Sequence, residues 1–220
     1  MSYDHLTLTW NFPTSVRFGP GRIAELAEAC RALSMERPLL VTDRGLKQSD
    51  IVARAMEVCQ AAGLPTGLFA EVQGNPILQN VLDGVEAFKA GGHDGVVAFG
   101  GGSALDTGKN IALMAGQSRP LFDFVDEGDN WKRVDEAGMA PVVAVPTTAG
   151  TGSEVGRSAV VTDETTKAKR IIFHAAMLPE VVIADPELTV GLPPALTAAV
   201  GMDALSHCLE AYCCQVYHPM

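Results

Sequence analysis

The stretch Gly95-Val-Val-Ala-Phe-Gly-Gly-Gly-Ser-Ala-Leu-Asp-Thr-Gly-Lys109 decides the fold. Its first five residues form an apolar run without alternation, which is typical of a strand buried on both faces of a parallel sheet. Three glycines and Ser103 follow, and a helix is predicted over 104–114. Glycines let backbone N–H groups approach a polyanion, and a helix start adds a positive dipole end. We therefore predict a pyrophosphate site at Gly101, Gly102 and Ser103, with a tight turn capped by Ser103 as the alternative.

Asp106 lies in the first turn of that predicted helix. A carboxylate at this position stabilises the helix dipole without any functional role. The alternative is a functional role, in which Asp106 contacts the cofactor or orders a neighbouring loop. Direct contact with the phosphates is not expected, because a carboxylate would repel them. Asp106 therefore joins the candidate cofactor site.

Short apolar runs alternate with helical stretches on both sides of this motif. Strands are predicted over 39–42, 66–69, 141–145 and 181–184, and helices over 23–32, 50–62 and 81–90. This alternation is typical of βαβ units and predicts an α/β fold with a mostly parallel sheet. Right-handed crossovers place the carboxyl ends of the strands at one edge, where ligands bind.

Three further segments are less regular. Residues 6–18 predict a small β-hairpin, 160–176 a second hairpin at the edge of the sheet, and 121–140 a polar, solvated connection. Pro193-Pro194 opens another helix that runs to about Tyr212, because proline is tolerated in a first helical turn. We expect a nucleotide-binding α/β domain over 1–190 and the start of an all-helical domain over 191–220.

Composition excludes several classes of partner. The 220 residues carry a formal net charge of -10, which disfavours nucleic acid and anionic membranes. No apolar run approaches the roughly 20 residues that span a bilayer, and no secretory leader is recognisable. Five cysteines without a Cys-x-x-Cys pair argue against a disulfide framework and a thiolate zinc site. We expect a cytoplasmic protein with no nucleic-acid or membrane partner.

Asp43 ends the first predicted buried strand. A carboxylate there can accept hydrogen bonds from the adenosine ribose and repel a 2′-phosphate, which favours NAD over NADP. A helix cap is the alternative. Upstream, Gly19-Pro20-Gly21 resembles a dinucleotide fingerprint, but the proline removes an N–H that phosphate would use. We interpret that segment as a turn.

Two more segments carry candidate chemistry. After the strand at 141–145, a loop rich in hydroxyl groups begins with Thr147 and Thr148 and suits a nicotinamide ribose or carboxamide, or is merely a turn. In the last predicted helix, Asp203 and His207 are four residues apart and share one face. One oxygen and one nitrogen ligand suit Fe(II), Zn(II) or Mn(II). A surface ion pair or a satisfied core histidine is the alternative for that helix.

These pieces occur together and in one order, and the chain resembles the iron-containing (group III) alcohol dehydrogenase family over essentially its whole length. The resemblance is carried by 17–21, 41–43, 74–76, 100–109, 146–155, 185–189 and 201–212. It implies an N-terminal cofactor domain, a C-terminal helical domain and an active site between them. It also implies NAD contacts at Asp43, Asn75, Gly101, Gly102, Ser103, Thr147, Thr148 and Lys169, and first metal ligands at Asp203 and His207.

The resemblance implies an NAD-dependent alcohol dehydrogenase or aldehyde reductase that uses Fe(II), or Zn(II), on a small alcohol or aldehyde. The family supplies two further histidine ligands from later helices, which no histidine here matches, and the last helix would expose Leu196, Val200 and Leu209. A homo-oligomer is expected through the edge of the N-terminal hairpin. The rival hypothesis is a nucleotide-binding fragment without a competent metal site, and a third is a sugar-phosphate lyase or synthase resembling dehydroquinate synthase.

Overall fold

The computed structural model of the chain describes residues 12–214. Its strands are β1 (Ser15–Phe18), β2 (Pro38–Asp43), β3 (Gly67–Val72), β4 (Gly95–Gly100), β5 (Val142–Pro146), β6 (Ser158–Asp163), β7 (Ala168–Phe173) and β8 (Val181–Ala184). Its α-helices are α1 (Leu26–Ala32), α2 (Asp50–Ala61), α3 (Leu78–Ala90), α4 (Gly102–Met114) and α5 (Pro194–Cys213). Each predicted α/β element is present, with its ends shifted by a few residues at most.

Six strands form one sheet in the order β1-β8-β5-β4-β2-β3, and every neighbouring pair is parallel. This confirms the predicted α/β class. The chain leaves β2 toward β3 on one side and returns to β4 on the other side of β2. The strand order therefore reverses between β2 and β4, and such a switch point opens a crevice at the carboxyl ends of the strands.

Apolar side chains cover both faces of the sheet. On one face β4 contributes Val96 and Ala98 to a cluster with α3 and α4, and on the other it contributes Val97 and Phe99 to a cluster with α1 and α2. This two-sided burial explains why the β4 sequence shows no alternation. A Cβ at Gly108 of α4 would lie only 2.6 Å from the Ala98 Cβ, so α4 packs with its backbone close to the sheet.

Two of the irregular segments differ from the prediction. Strands β6 and β7 do form an antiparallel hairpin, but they make a sheet of their own rather than extending the edge of the main one. Segment 121–140 is not wholly solvated, because Leu121 and Phe124 are 1% and 0% exposed and belong to the core. A short 3-10 turn at Leu121–Phe124 puts these two residues on the same side.

The first half of the predicted N-terminal hairpin lies outside the described residues. The second half is β1, which pairs in parallel with β8. In the following turn, the backbone N–H groups of Gly21 and Ile23 donate to the Asp185 carboxylate at 3.1 and 3.0 Å. These N–H groups are bonded within the protein, in agreement with the interpretation of this segment as a turn.

Helix α5 projects from the α/β body. It contains no buried residue; Leu196 and Leu209 are exposed, as expected, whereas Val200 is half-buried. The division into domains at residue 190 stays a prediction. Within residues 12–214, no helix combines the length and apolar character that crossing a bilayer requires.

Candidate functional site

The glycine loop, residues 100–102, connects β4 to α4. Gly100 has a φ of 140°, which an L side chain rarely adopts, and its carbonyl accepts the Thr147 N–H at 2.9 Å. Helix α4 begins at Gly102, with Gly101 in the cap position and no side chain capping it. Ser103 therefore does not cap the helix, contrary to the predicted alternative. Its backbone N–H lies in a first helical turn, where N–H groups lack intrahelical partners.

The glycine loop lies against the hydroxyl-rich loop, residues 147–156. A Cβ at Gly101 would lie 3.3 Å from the Thr148 Oγ1, and a Cβ at Gly102 would lie 3.1 Å from the Thr151 Oγ1. Two glycines are thus what allows the loops to approach so closely. This close approach puts the N–H groups of the glycine loop, which are candidate hydrogen-bond donors to a phosphate, beside the threonines that are candidate nicotinamide contacts.

A cavity of about 890 Å³ opens at the switch point between β2 and β4. Polar groups from Asp43, the glycine loop and Thr147 line one side, and Leu188, Leu196 and Val200 line another. Ligand pockets of about 300–1,000 Å³ with a few placed polar groups are typical of small-molecule and cofactor sites. The position and size suit a dinucleotide.

Asp43 closes a short turn at the end of β2. Its Oδ1 accepts the Leu46 N–H at 3.1 Å, while its Oδ2 lies 3.4 Å from where a Cβ of Gly100 would stand. The cap of α2 is Ser49, whose side chain accepts the Val52 N–H, so Asp43 is not a helix cap. One carboxylate oxygen is fixed by the turn, and the other faces the glycine loop.

A second cavity of about 290 Å³ adjoins the first. It is lined by Asn75, Asp106, Lys169 and Asp203, and it shares Ser103 and Thr148 with the first cavity. The two cavities together bring nine predicted cofactor residues to one place: Asp43, Asn75, Gly101, Gly102, Ser103, Asp106, Thr147, Thr148 and Lys169. His207 lines neither cavity.

Asp106 is bonded to the segment after β5. Its Oδ1 accepts the Ser153 hydroxyl at 2.5 Å, and its Oδ2 accepts the Val160 N–H at 3.0 Å. Both oxygens are therefore engaged by protein groups, which matches the loop-ordering role among the two functional alternatives for this residue.

Lys109 was not identified as a site residue from the sequence. Its side chain is 1% exposed, and its Nζ donates to the carbonyls of Ser153 at 2.8 Å, Gly156 at 3.3 Å and Ser158. The Asp106 Oδ1 is 3.8 Å from the same ammonium. A lysine one turn after an aspartate, followed by the apolar run 111–114, is the signal that could have indicated a buried cation.

Burial shapes the electrostatics of this pair. Desolvation lowers the pKa of Lys109 to about 8, although Asp106 and Glu154 favour its charged form. Desolvation also raises the pKa of the Asp106 carboxyl, against the opposing effect of Lys109. Lys109 and Asp106 thus bind the hydroxyl-rich loop and the start of β6 to α4, which directly follows the glycine loop.

Both candidate metal ligands lie on α5, and one of them, Asp203, lines the second cavity. The Asp203 Oδ2 is 3.9 Å from the His207 Nε2, and both side chains are about half exposed. Asp203 also approaches the hydroxyl-rich loop, because a Cβ at Gly150 would lie 2.9 Å from its Oδ2. Among residues 12–214, no group of three His, Cys, Asp or Glu side chains surrounds a common point. Among the described residues, the pair of Asp203 and His207 therefore has no third such side chain beside it.

Comparison with known proteins agrees with this geometry. A profile of the family described as iron-containing alcohol dehydrogenase matches residues 13–186. The chain is 38% identical to the 4-hydroxybutyrate dehydrogenase of Cupriavidus necator, over 94% of this chain and 53% of that protein. It is 39% identical to the 1,3-propanediol dehydrogenase of Klebsiella pneumoniae, over 99% of this chain and 54% of that protein.

A solved structure gives the same picture. The sulfoacetaldehyde reductase of Bifidobacterium kashiwanohense in complex with NAD+ matches with a TM-score of 0.86 and 32% identity, over 97% of this chain and 56% of that chain. The chain thus spans about half the length of the relatives it matches.

Proposed function

Since the chain belongs to the iron-containing alcohol dehydrogenase family, we propose that the whole protein transfers hydride between NAD and a small alcohol or aldehyde at a divalent metal. The observation that carries the proposal is the pair of adjoining cavities, which gather nine candidate cofactor residues and the candidate ligand Asp203. Relatives that act on 4-hydroxybutyrate or 1,3-propanediol by name support the substrate class.

NAD fits the first cavity by the chemistry of its lining. The glycine loop and the first turn of α4 offer N–H groups and a positive dipole end to the pyrophosphate. The Asp43 Oδ2 faces that loop and would accept from the adenosine ribose. Thr148, Lys169 and Asn75 then lie toward the nicotinamide end, in the second cavity.

Asp203 and His207 would hold the metal, and Fe(II) or Zn(II) suits such a mixed oxygen and nitrogen set. When bound, a divalent ion lowers the pKa of an alcohol and polarises an aldehyde carbonyl, and the nicotinamide ring accepts or donates the hydride. Gly150 lets the Asp203 carboxylate lie against the hydroxyl-rich loop. In this proposal the candidate metal ligand lies beside the candidate nicotinamide contacts.

The remaining proposals concern the whole protein. We propose that α5 begins a second, helical domain at about residue 191, whose helices cover the exposed Leu196 and Leu209. The homo-oligomer stays a prediction; β1, an edge strand of the sheet formed by residues 12–214, with Phe18 73% exposed, is the surface we would test first. The rival proposal is nucleotide binding without catalysis, which would hold if Asp203 and His207, the candidate metal donors among residues 12–214, gained no further ligand.

Titration of NAD and NADP onto the protein tests the cofactor assignment. We expect NAD to bind and NADP to bind more weakly, because Asp43 repels a 2′-phosphate. Asp43→Gly should tighten NADP binding by about 10-fold, the equivalent of about 1.4 kcal/mol. Absence of NAD binding would contradict the proposed function, whereas unchanged discrimination in Asp43→Gly would contradict only the role of Asp43.

Metal analysis tests the second assignment. We expect the 220-residue chain to hold Fe(II) or Zn(II) weakly, because catalytic sites usually present at least three protein ligands. After dialysis, the metal content should be well below one ion per chain, and His207→Ala should abolish the residual binding seen by calorimetry. His93→Ala is the control, since His93 lies away from α5, with its Nδ1 2.9 Å from the Arg37 carbonyl oxygen. One tightly bound ion per chain would show that other ligands contribute.

A further inference from the structure

Two cations lie within four residues of Asp43 in the sequence, and the Asp43 carboxylate faces the proposed ribose site. Arg44 follows Asp43 directly, lines the first cavity, and donates its backbone N–H to the Val72 carbonyl at 3.0 Å. Lys47 lies one turn further along, before α2 begins. Arginine and lysine are the side chains that bind phosphate groups. A phosphate on the 2′ position of the adenosine ribose would therefore lie near Arg44, which lines the cavity, as well as near Asp43, and Lys47 is the next cation along the chain.

Both cations are paired with one carboxylate. Glu71, on the neighbouring strand β3, places its Oε2 3.4 Å from the Arg44 Nε and its Oε1 2.6 Å from the Lys47 Nζ. The two cations lower the pKa of the Glu71 carboxyl, with Lys47 the larger cause. Glu71 does not line the cavity, so it would not touch the cofactor directly.

We propose that Glu71 is a second determinant of cofactor choice, which holds Arg44 and Lys47 in ion pairs and so withholds them from a 2′-phosphate. The proposal rests on the proposed NAD site. Asp43 repels the phosphate, and Glu71 occupies the cations that would otherwise compensate for that repulsion. Glu71 acts through Arg44 and Lys47 and is a positioning residue.

The local charges explain why Asp43 alone is not sufficient. Arg44, Lys47 and Glu71 together carry one positive charge, which Asp43 cancels. Without Asp43, the net positive charge remains, but Arg44 and Lys47 are both still in ion pairs with Glu71. Removing Glu71 as well releases both cations from their ion pairs, and Arg44 already lines the cavity. The exposed fractions of the three side chains lie between 46% and 60%, so Arg44 and Lys47 can reorient once released.

The test is a double-mutant cycle on NADP affinity. We expect Glu71→Gln alone to change NADP binding by less than about 2-fold, because Asp43 still repels the phosphate. Combined with Asp43→Gly, it should tighten NADP binding by about a further 5-fold, the upper end for exposed ion pairs. That gain should fall with salt. Adding Arg44→Gln should remove most of it.

NAD titration of every variant separates the two claims. If the wild type does not bind NAD, the proposed function fails and the inference falls with it. If NAD binds normally and Asp43→Gly improves NADP binding, but Glu71→Gln adds nothing, the inference alone is overturned. Glu57→Gln, which neutralises an exposed carboxylate on α2, is the matched control. An equal gain in that control would show an effect of net charge and would also overturn the role of Glu71.

Discussion

Lys109→Met should lower the free energy of unfolding by about 3–5 kcal/mol, the range seen when one partner of a buried charge pair is removed. Methionine fills a similar volume and removes a buried charge, but three carbonyls lose their donor and Asp106 loses its cation. Each buried polar group left unpaired costs about 1–3 kcal/mol. Denaturant unfolding measures the change. Lys89→Met, at an exposed position on α3, is the control and should change stability by less than about 0.5 kcal/mol.

Lys109→Met should also flatten the dependence of stability on pH in alkaline solution. The pKa of Lys109 is about 8 in the folded protein and 10.5 without the influence of the fold. Between these values the unfolded state binds more protons, so this group makes the free energy of unfolding increase with pH. The slope approaches about 1.4 kcal/mol per pH unit at most. Identical slopes for wild type and variant between pH 8 and 10 would contradict the lowered pKa.

Gly101→Val should abolish measurable NAD binding while leaving the fold intact. Gly101 has φ −79° and ψ −178°, an extended conformation that valine adopts readily, so the backbone is not strained. The new Cβ would stand 3.3 Å from the Thr148 Oγ1, so the valine side chain would push the hydroxyl-rich loop away from the glycine loop and disturb the cavity that both loops line. We expect NAD affinity to fall by at least about 100-fold, or about 2.7 kcal/mol.

The control for this loss is a glycine substitution away from the cavity. A Cβ at Gly201, on α5, meets no atom within 4 Å, and Gly201 lines neither cavity. Gly201→Ala should therefore leave NAD binding unchanged. Circular dichroism and the melting temperature report whether Gly101→Val is folded. A folded Gly101→Val protein that binds NAD like the wild type would exclude the glycine loop as the pyrophosphate site.

The parts of the fold that the sequence predicts are those with a local signal. The unbroken apolar run of β4 and the three glycines after it are adjacent in the chain, and both features have their predicted structure. Ser103 illustrates the limit of such signals. Helix α4 begins two residues before the predicted start, which moves Ser103 from the cap into the first turn, and helix ends are the least sharply encoded part of an element.

The contacts that the sequence did not predict join residues far apart in the chain. Lys109 meets carbonyl groups 44 to 49 residues later, and nothing in its neighbourhood specifies which ones. Glu71 meets Arg44 and Lys47 because β2 and β3 are neighbours. The alternation of strands and helices predicts a parallel sheet but not its strand order. For Asp203 and His207, helical spacing predicts the shared face correctly, but not the remaining ligands.

The partner of β1 has a consequence for how the chain folds. Ser15 near one end of the described chain pairs with Val181 near the other, and Asp185 bonds the turn that follows β1. On the ribosome, this first strand must wait until β8 has emerged before it can join the sheet. Synthesis at about 5–20 residues per second makes that wait many seconds long. During that interval the backbone N–H and C=O groups of Ser15–Phe18 lack their β8 partners and are accessible to chaperones and to other nascent chains.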